Sequence, residues 1–336
     1  LIEQKYNGEY SNDQIYTGAI RGMVKELNDP YSTYLDAKDY ADLTTITEGY
    51  FGGIGLVLGK KDDKLVVVAP IEDTPAYRAG IKSGDIISAI DGKETVGQEL
   101  TEAVKQIRGA NGSTVELTVL SGNQAPRTVR IVREEIKLKS VYGEMKDNKV
   151  GYIRITSFNE ETAKDFQNKY RELAQQGMKG LILDLRDNPG GLLHSGVGVA
   201  KLLVPKGPIV SVKEKDGRTT TEYSNLEQIK YPLAVLVNKG TTSASEIVSG
   251  AVQDTKAGKL FGTTTYGKGC VQNIFHLTPN TGVKLTIAEY YTPSGRSING
   301  VGIKPDVEVA ATDDKGTNQL AAAQKYIEEE ITKAGK

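Results

Sequence analysis

Pro232-Leu-Ala-Val-Leu-Val237-Asn-Lys-Gly-Thr-Thr-Ser243-Ala-Ser-Glu246-Ile-Val-Ser-Gly-Ala-Val-Gln-Asp254 is the stretch whose reading decides the fold. Its apolar opening reads as a strand buried on both faces, the form taken by strands of parallel sheets. A polar turn with one glycine follows, and a helix is expected over 243–254. The same unit recurs on either side. Val150-Gly-Tyr-Ile-Arg-Ile155 reads as a strand, and 160–176 as a periodic helix with Ala163, Phe166, Tyr170 and Leu173 on one face. Residues 180–185 read as a second buried strand and 192–204 as an apolar helix. Lys259-Leu-Phe-Gly262, 271–277 and 283–290 are further strand candidates, and 320–334 is a closing helix with Leu320, Ala323, Tyr326, Ile327 and Ile331 facing one way. Strands alternating with helices predict an α/β fold with a substantially parallel sheet.

Two segments before this core read differently. Residues 13–27 place Ile15, Ala19, Met23 and Leu27 four apart on one helical stripe, closed by Asn28-Asp29-Pro30. A weaker helix is expected over 37–47, and so short a pair must pack on another domain or another subunit. From 49 to 135 the pattern becomes short strands with one helix, Leu100 to Ile107, and an Asp91-Gly92 hairpin turn. Thr114-Val-Glu-Leu-Thr-Val-Leu120 and Arg127-Thr-Val-Arg-Ile-Val132 alternate as half-buried strands do. This stretch resembles a PDZ domain of the bacterial protease type, on the Gly53-Ile54-Gly55-Leu56 loop, Pro75-Ala76, Ala79-Gly80, Gly84-Asp85-Ile86-Ile87 and Arg108-Gly109. The resemblance implies capture of a peptide C-terminus as an added strand, with loop amides around its carboxylate. The predicted architecture is therefore multidomain. Helical segment 1–48 leads into PDZ domain 49–135, inserted before α/β core 136–310, and helical segment 311–336 closes the chain.

Composition narrows the function. The 336 residues carry 42 Lys+Arg against 43 Asp+Glu, a net charge of −1, which lacks the basic surplus of a nucleic-acid binder. One cysteine, Cys270, and two histidines, His194 and His276, exclude an intramolecular disulfide and argue against a structural zinc site. No apolar run approaches the ~18–20 residues of a membrane-spanning helix. The polar opening Leu1-Ile-Glu-Gln shows no signal peptide, and the missing initiator Met suggests a processed chain whose address has been removed.

Chemistry concentrates at two places. Ser243 sits at the mouth of a helix after a buried strand, where free amides and the positive dipole end can stabilise an oxyanion. Ser243-x-x-Glu246 also matches a capping box, the bland alternative. A serine nucleophile needs a base, and neither histidine stands in a triad context. Lys268, in Tyr266-Gly-Lys-Gly-Cys-Val-Gln272, can serve if burial lowers its pKa from about 10.4. Gln272 follows at 272 − 268 = 4, placed for its amide oxygen to orient the ammonium. An exposed hairpin lysine and a phosphate-binding Gly-Lys-Gly are the competing readings, the latter lacking the rest of a P-loop. If this segment is a strand, Cys270 shares a face with Lys268; it stands either as a packing residue or, with His276, as a rival nucleophile.

These blocks together resemble the C-terminal processing peptidases, the tail-specific Ser–Lys serine proteases of the S41 class. The resemblance is carried by Thr242-Ser-Ala-Ser-Glu-Ile247 and Tyr266-Gly-Lys-Gly269 with Val271-Gln272, at a spacing of 268 − 243 = 25. Leu183-Asp-Leu-Arg-Asp-Asn-Pro-Gly-Gly-Leu192, Tyr291-Thr-Pro-Ser-Gly-Arg-Ser-Ile298 and Gly302-Ile-Lys-Pro-Asp306 extend it, and among relatives the pattern looks most like the sporulation-associated CtpB type. It implies Ser243 as nucleophile, Lys268 as general base and Gln272 as the residue positioning the lysine. The oxyanion hole would pair the N–H of Ala244 with that of Gly190 or Gly191. Asp184, Arg186 and Asp187 are expected as an ion-pair network holding the Gly190-Gly191 turn rather than as catalytic acids or metal ligands. No metal or cofactor is implied. The implied substrates are proteins or peptides with free, apolar C-terminal tails. Arg108, by charge and position, is the residue expected to couple the PDZ domain to activity. A homodimer and a location outside the cytoplasmic membrane of a bacterium complete the expectation.

Overall fold

A computed structural model describes residues 2–122 and 124–334; Leu1, Asn123, Gly335 and Lys336 lie outside the described residues. The chain divides into two compact units, one of residues 1–48 with 139–336, the other of residues 49–138. The class is mixed α/β, as the strand–helix alternation predicts.

The larger unit is built on a 6-stranded sheet in the order Val141–Lys146, Val150–Ile155, Gly180–Asp184, Leu233–Val237, Lys259–Gly262, Val307–Glu308. Its first pair is antiparallel and the others are parallel. The alternation of strand side chains feeds two cores. Leu181, Leu183, Leu233, Val235 and Val237 join Phe166 and Leu173 of helix Thr162–Gln175, Val197 of helix Leu193–Ala200 and Val248 of helix Ala244–Asp254. Ile182, Ala234, Leu236 and Phe261 pack instead with Ala323 and Ile327 of helix Thr317–Ala334. Helices cover both faces, so the central strands are buried along their whole length.

A second, antiparallel sheet belongs to the same unit and was not legible as such in the sequence. Thr281–Tyr291 is its spine, pairing with Cys270–Thr278, Gly207–Glu214 and the short N-terminal strand Thr33–Leu35, while Thr219–Ser224 extends the far edge. Strand 219–224 carries Tyr223 as its one apolar residue, and strand 207–214 only the short apolar run Pro208-Ile-Val210 before Ser211, so neither shows a clear strand pattern. The N-terminal helix runs Asn12–Lys25, and its expected apolar stripe is not turned inward. Val24 is its buried residue, whereas Met23 is 65% exposed and Leu27, beyond the helix end, 58%. Helix Ala37–Glu48 follows with no buried residue.

The smaller unit is an antiparallel sheet in the order Leu56–Lys61, Lys64–Pro70, Ile86–Ile90, Thr114–Leu120, Arg127–Val132, with helix Leu100–Ile107 packed beside it. Ile54, Val67, Ile87, Leu117 and Ile107 are among its core residues. Asp91 and Gly92 both take positive φ between Ile90 and Lys93, the conformation of a tight two-residue hairpin turn.

Candidate active site

Ser243 lies where strand Leu233–Val237 has left the carboxyl edge of the parallel sheet and helix Ala244–Asp254 begins. Its φ of 57° and ψ of −116° are rare for a residue with a side chain and cost on the order of 1–3 kcal/mol. A strained strand-to-helix turn lifts a serine hydroxyl clear of the backbone at a helix N-terminus. The loop before it is fastened to the neighbouring one. Thr241 Oγ1 donates to the Leu185 carbonyl at 2.8 Å, Thr242 N–H to the Asn188 carbonyl at 3.0 Å, and Asn238 Nδ2 to Asp187 Oδ1 at 2.9 Å.

Glu246 does much more than close a helix turn. It is fully buried, and its carboxylate accepts four hydrogen bonds. Oε2 takes the backbone N–H groups of Ser243 and Lys268, both at 2.9 Å. Oε1 takes Gly267 N–H at 2.7 Å and the Thr265 hydroxyl at 2.6 Å. From the other side the buried Tyr290 hydroxyl donates to the Lys268 carbonyl at 2.5 Å and lies 3.1 Å from that of Ser243. Burial, followed by the charge of Glu246, raises the Tyr290 phenol well above its ordinary value, so it remains a donor. Two residues 25 apart in sequence are thus joined through their amides by one carboxylate and through their carbonyls by one phenol. Sequence reading took Glu246 for a possible cap and passed over Tyr290. The capping spacing was the available signal for the first; nothing local marks the second.

The Lys268 side chain is half-buried, and burial, with Lys284 adding to it, lowers its pKa below the ordinary 10.5; Cys270, Asp29 and Glu246 oppose the shift. Its Nζ stands 4.9 Å from the centre of the Tyr31 ring and makes no hydrogen bond or ion pair among the described residues. Gln272 Nε2 donates to Cys270 Sγ at 3.1 Å and to Thr286 Oγ1 at 3.3 Å. Cys270 is buried, and burial pushes its thiol up despite Gln272 and Lys268, away from the thiolate a nucleophile requires. His276 is six residues along the same strand, roughly 20 Å at the strand rise. Its Nδ1 pairs with the Tyr40 hydroxyl at 2.8 Å, which removes it as a partner for Cys270. His194 pairs with Glu160 on the surface.

Gly190 and Gly191 have φ of 89° and 142°, in the region glycine tolerates. A Cβ on Gly190 would stand 2.6 Å from the Thr242 carbonyl and 3.0 Å from Ala244 N, so this turn lies directly against the serine loop. Asn188, fully buried, builds the turn: Nδ2 donates to the Ile155 carbonyl and Oδ1 accepts Gly190 N–H, both at 2.8 Å. The N–H groups of Gly191 and Ala244 have no acceptor among the described residues. Asp184 and Arg186 form a buried ion pair at 2.6 Å, and Arg186 Nη1 reaches the carbonyls of Lys315 and Gly316. Asp187 pairs with the Asn238 amide rather than with Arg186. The ion pair therefore fastens the sheet to the start of the last helix, and Asn188 holds the glycine turn. No cluster of three metal-ligating side chains occurs among the described residues.

In the smaller unit Gly53 ends strand Tyr50–Gly53, which pairs with Glu134–Lys137, and Ile54 is buried in the core. Gly55 turns at φ 79°, its carbonyl accepting Ile71 N–H at 2.9 Å, and Leu56 opens the edge strand of the sheet. Arg108 closes helix Leu100–Ile107 with its guanidinium 4.4 Å from the centre of the Phe51 ring.

A strained serine at a helix mouth, a half-buried lysine joined to it through Glu246 and Tyr290, and a glycine turn against the serine loop make up the candidate site, and the matches of the chain make it a serine-type peptidase. Residues 149–309 match peptidase family S41, 66–121 a PDZ domain, and 1–39 the N-terminal domain of the activating protease CtpB. The chain is 42% identical over 307 residues to a carboxy-terminal-processing protease of Bartonella bacilliformis, covering 89% of this chain and 70% of that one. It is 38% identical over 327 residues to the carboxy-terminal processing protease CtpA of Bacillus subtilis, covering 97% and 70%. Among solved structures, the photosystem II D1 C-terminal processing protease is similar with a TM-score of 0.54 at 32% identity, over 93% of this chain and 87% of that one. The chain belongs to the C-terminal processing peptidases of family S41.

Proposed function

We propose that this peptidase binds the C-terminal tail of protein substrates in its PDZ domain and cleaves them with a Ser243–Lys268 pair. The neutral Lys268 amine takes the proton of Ser243 Oγ as that oxygen attacks the scissile carbonyl. The resulting oxyanion is received by the N–H of Ala244 and one of the glycine turn. Gly191 suits this better than Gly190, whose N–H is given to Asn188. Lys268 returns the proton to the leaving amine, and water, deprotonated by the same lysine, releases the acyl-enzyme. Gln272 stays in this reading as the residue that positions Lys268 in the working state. The observation that carries the proposal is the double clamp of Glu246 and Tyr290, which holds both residues at one helix mouth.

The tail-binding half rests on the edge strand Leu56–Lys61, which lies beside helix Leu100–Ile107 and leaves one ladder side open for an added strand. The amides of the Gly53–Leu56 loop would receive the terminal carboxylate, and apolar tail side chains would lie along the helix. Occupancy of this unit would gate the peptidase, with Arg108 as the coupling residue. The enzyme would act as a homodimer outside the cytoplasmic membrane of a bacterium, with a role in sporulation. Among the described residues no helix is long and apolar enough to cross a membrane.

The test is cleavage of an unstructured polypeptide ending in apolar residues, read by mass spectrometry. Ser243→Ala and Lys268→Ala should each lower kcat by on the order of 10⁴-fold or more. Amidating the substrate C-terminus should raise KM while leaving the cleavage sites unchanged. Protonated Lys268 is inactive as a base, so kcat/KM should climb with pH, and because burial lowers this pKa the midpoint of the climb should lie below 10.5. Cleavage surviving Ser243→Ala would end the mechanism.

A further inference from the structure

We infer that Tyr31, carried on the N-terminal segment, is a positioning residue for Lys268, its ring covering one side of the amine and holding it in place. The inference rests on the reading of Lys268 as general base and adds a residue that neither the PDZ domain nor the S41 region supplies. Lys268 Nζ lies 4.9 Å from the ring centre, within cation–π range, and has no hydrogen bond or ion pair among the described residues. Tyr31 is held firmly for the task. Asp29 Oδ1 accepts the Tyr31 N–H at 3.1 Å, Asp29 Oδ2 accepts the Ser32 hydroxyl at 2.5 Å, and Ser32 Oγ accepts Thr286 N–H at 3.1 Å. Strand Thr33–Leu35 then pairs with Thr281–Tyr291, so the turn is part of the same sheet that carries Tyr290. A cavity of about 560 Å³ opens beside it, lined by Asp29, Tyr31, Tyr266, Gly267, Cys270 and Glu289.

The charged and titratable groups around the amine come from every neighbouring element. They are Asp29 and Tyr31 on the N-terminal turn, Glu246 on the helix, Tyr266 on the loop, Cys270 on one strand, and Lys284 and Tyr290 on the next. Burial beside Tyr266 pushes the Tyr31 phenol up to about 12, so the ring stays neutral. An uncharged ring excludes water and favours the free amine, while its face attracts the ammonium; exclusion of water acts in the direction in which burial shifts Lys268. Losing the ring therefore lets water reach the amine and returns it toward its ordinary value.

Competitive acylation of Lys268, followed by mass spectrometry as a function of pH, reads the amine directly and without catalysis. Tyr31→Phe keeps the ring and should keep the parent midpoint. Tyr31→Ala should raise it, and the acid limb of kcat/KM should move with it in the same direction. Tyr31→Gln, polar and of similar reach, repeats the measurement should alanine yield no folded protein. An unmoved midpoint in folded Tyr31→Ala or Tyr31→Gln overturns the inference and leaves the base reading intact. Cleavage that survives Lys268→Ala overturns the base reading and the inference with it.

Discussion

Glu246 carries more of this site than its sequence position suggests. A side chain three residues into a helix usually caps it, and this one does accept the Ser243 N–H. It also accepts Gly267 and Lys268 amides and the Thr265 hydroxyl, so all its acceptor positions meet donors in a fully buried place. Glu246→Gln keeps the shape but puts an NH₂ against donors, leaving buried N–H groups unpaired at about 1–3 kcal/mol. We expect a lower Tm together with a fall in kcat of about 10²-fold, because small misplacements of the proposed nucleophile and base are costly. An unchanged kcat in the folded variant would remove Glu246 from the machinery. Ser243 and Lys268 stand out in the sequence as candidates because their residue types and settings, a helix mouth and a Gly-Lys-Gly turn, are unusual. Tyr290 was not, since a tyrosine in an alternating strand looks like any other core residue.

The elements divide between those whose pattern suffices and those that neighbours create. Strands Gly180–Asp184 and Leu233–Val237 are buried throughout and apolar but for Asp184 because helices lie on both faces, and such runs are visible in the chain. The Asp184–Arg186 pair at the end of the first fastens it to the last helix through the carbonyls of Lys315 and Gly316. Tyr152 donates to Asp184 at 2.7 Å as well. Removing one member leaves its partner's charge buried and unpaired, so Asp184→Ala should cost about 3–5 kcal/mol. Thermal melting would show this as a drop of several degrees, and a loss below 1 kcal/mol would mean the pair is dispensable.

At the scale of the molecule, the N-terminal segment raises the question of what it covers and what covers it. Met23 and Leu27 form an exposed apolar stretch, with Tyr16 and Ile46 exposed nearby in sequence. Apolar helical faces of this kind fit a second copy of the chain, in line with the proposed dimer. Met23→Glu should leave the unfolding free energy of the separated chain within about 0.5 kcal/mol of the parent, since the side chain is already in water. It should shift sedimentation toward the monomer; an unaltered oligomeric state would place any dimer interface elsewhere.

The α/β core, the PDZ-like pattern and the sequence blocks around Ser243 and Lys268 could be read from the chain alone. Each is written in short-range signals: apolar runs, alternation, glycine turns and the blocks around the two residues. What only the tertiary structure decided was their company. Tyr31 above the lysine, Tyr290 beneath the backbone and Asn188 behind the glycine turn reach the site from segments up to 237 residues away from Lys268 in the numbering. The stripe of the first helix was likewise readable as apolar, yet its exposure depended on what packs against it. Periodicity reports how a segment can face a neighbour, whereas burial and long-range hydrogen bonds depend on which neighbour arrives, and that information is spread over the whole chain.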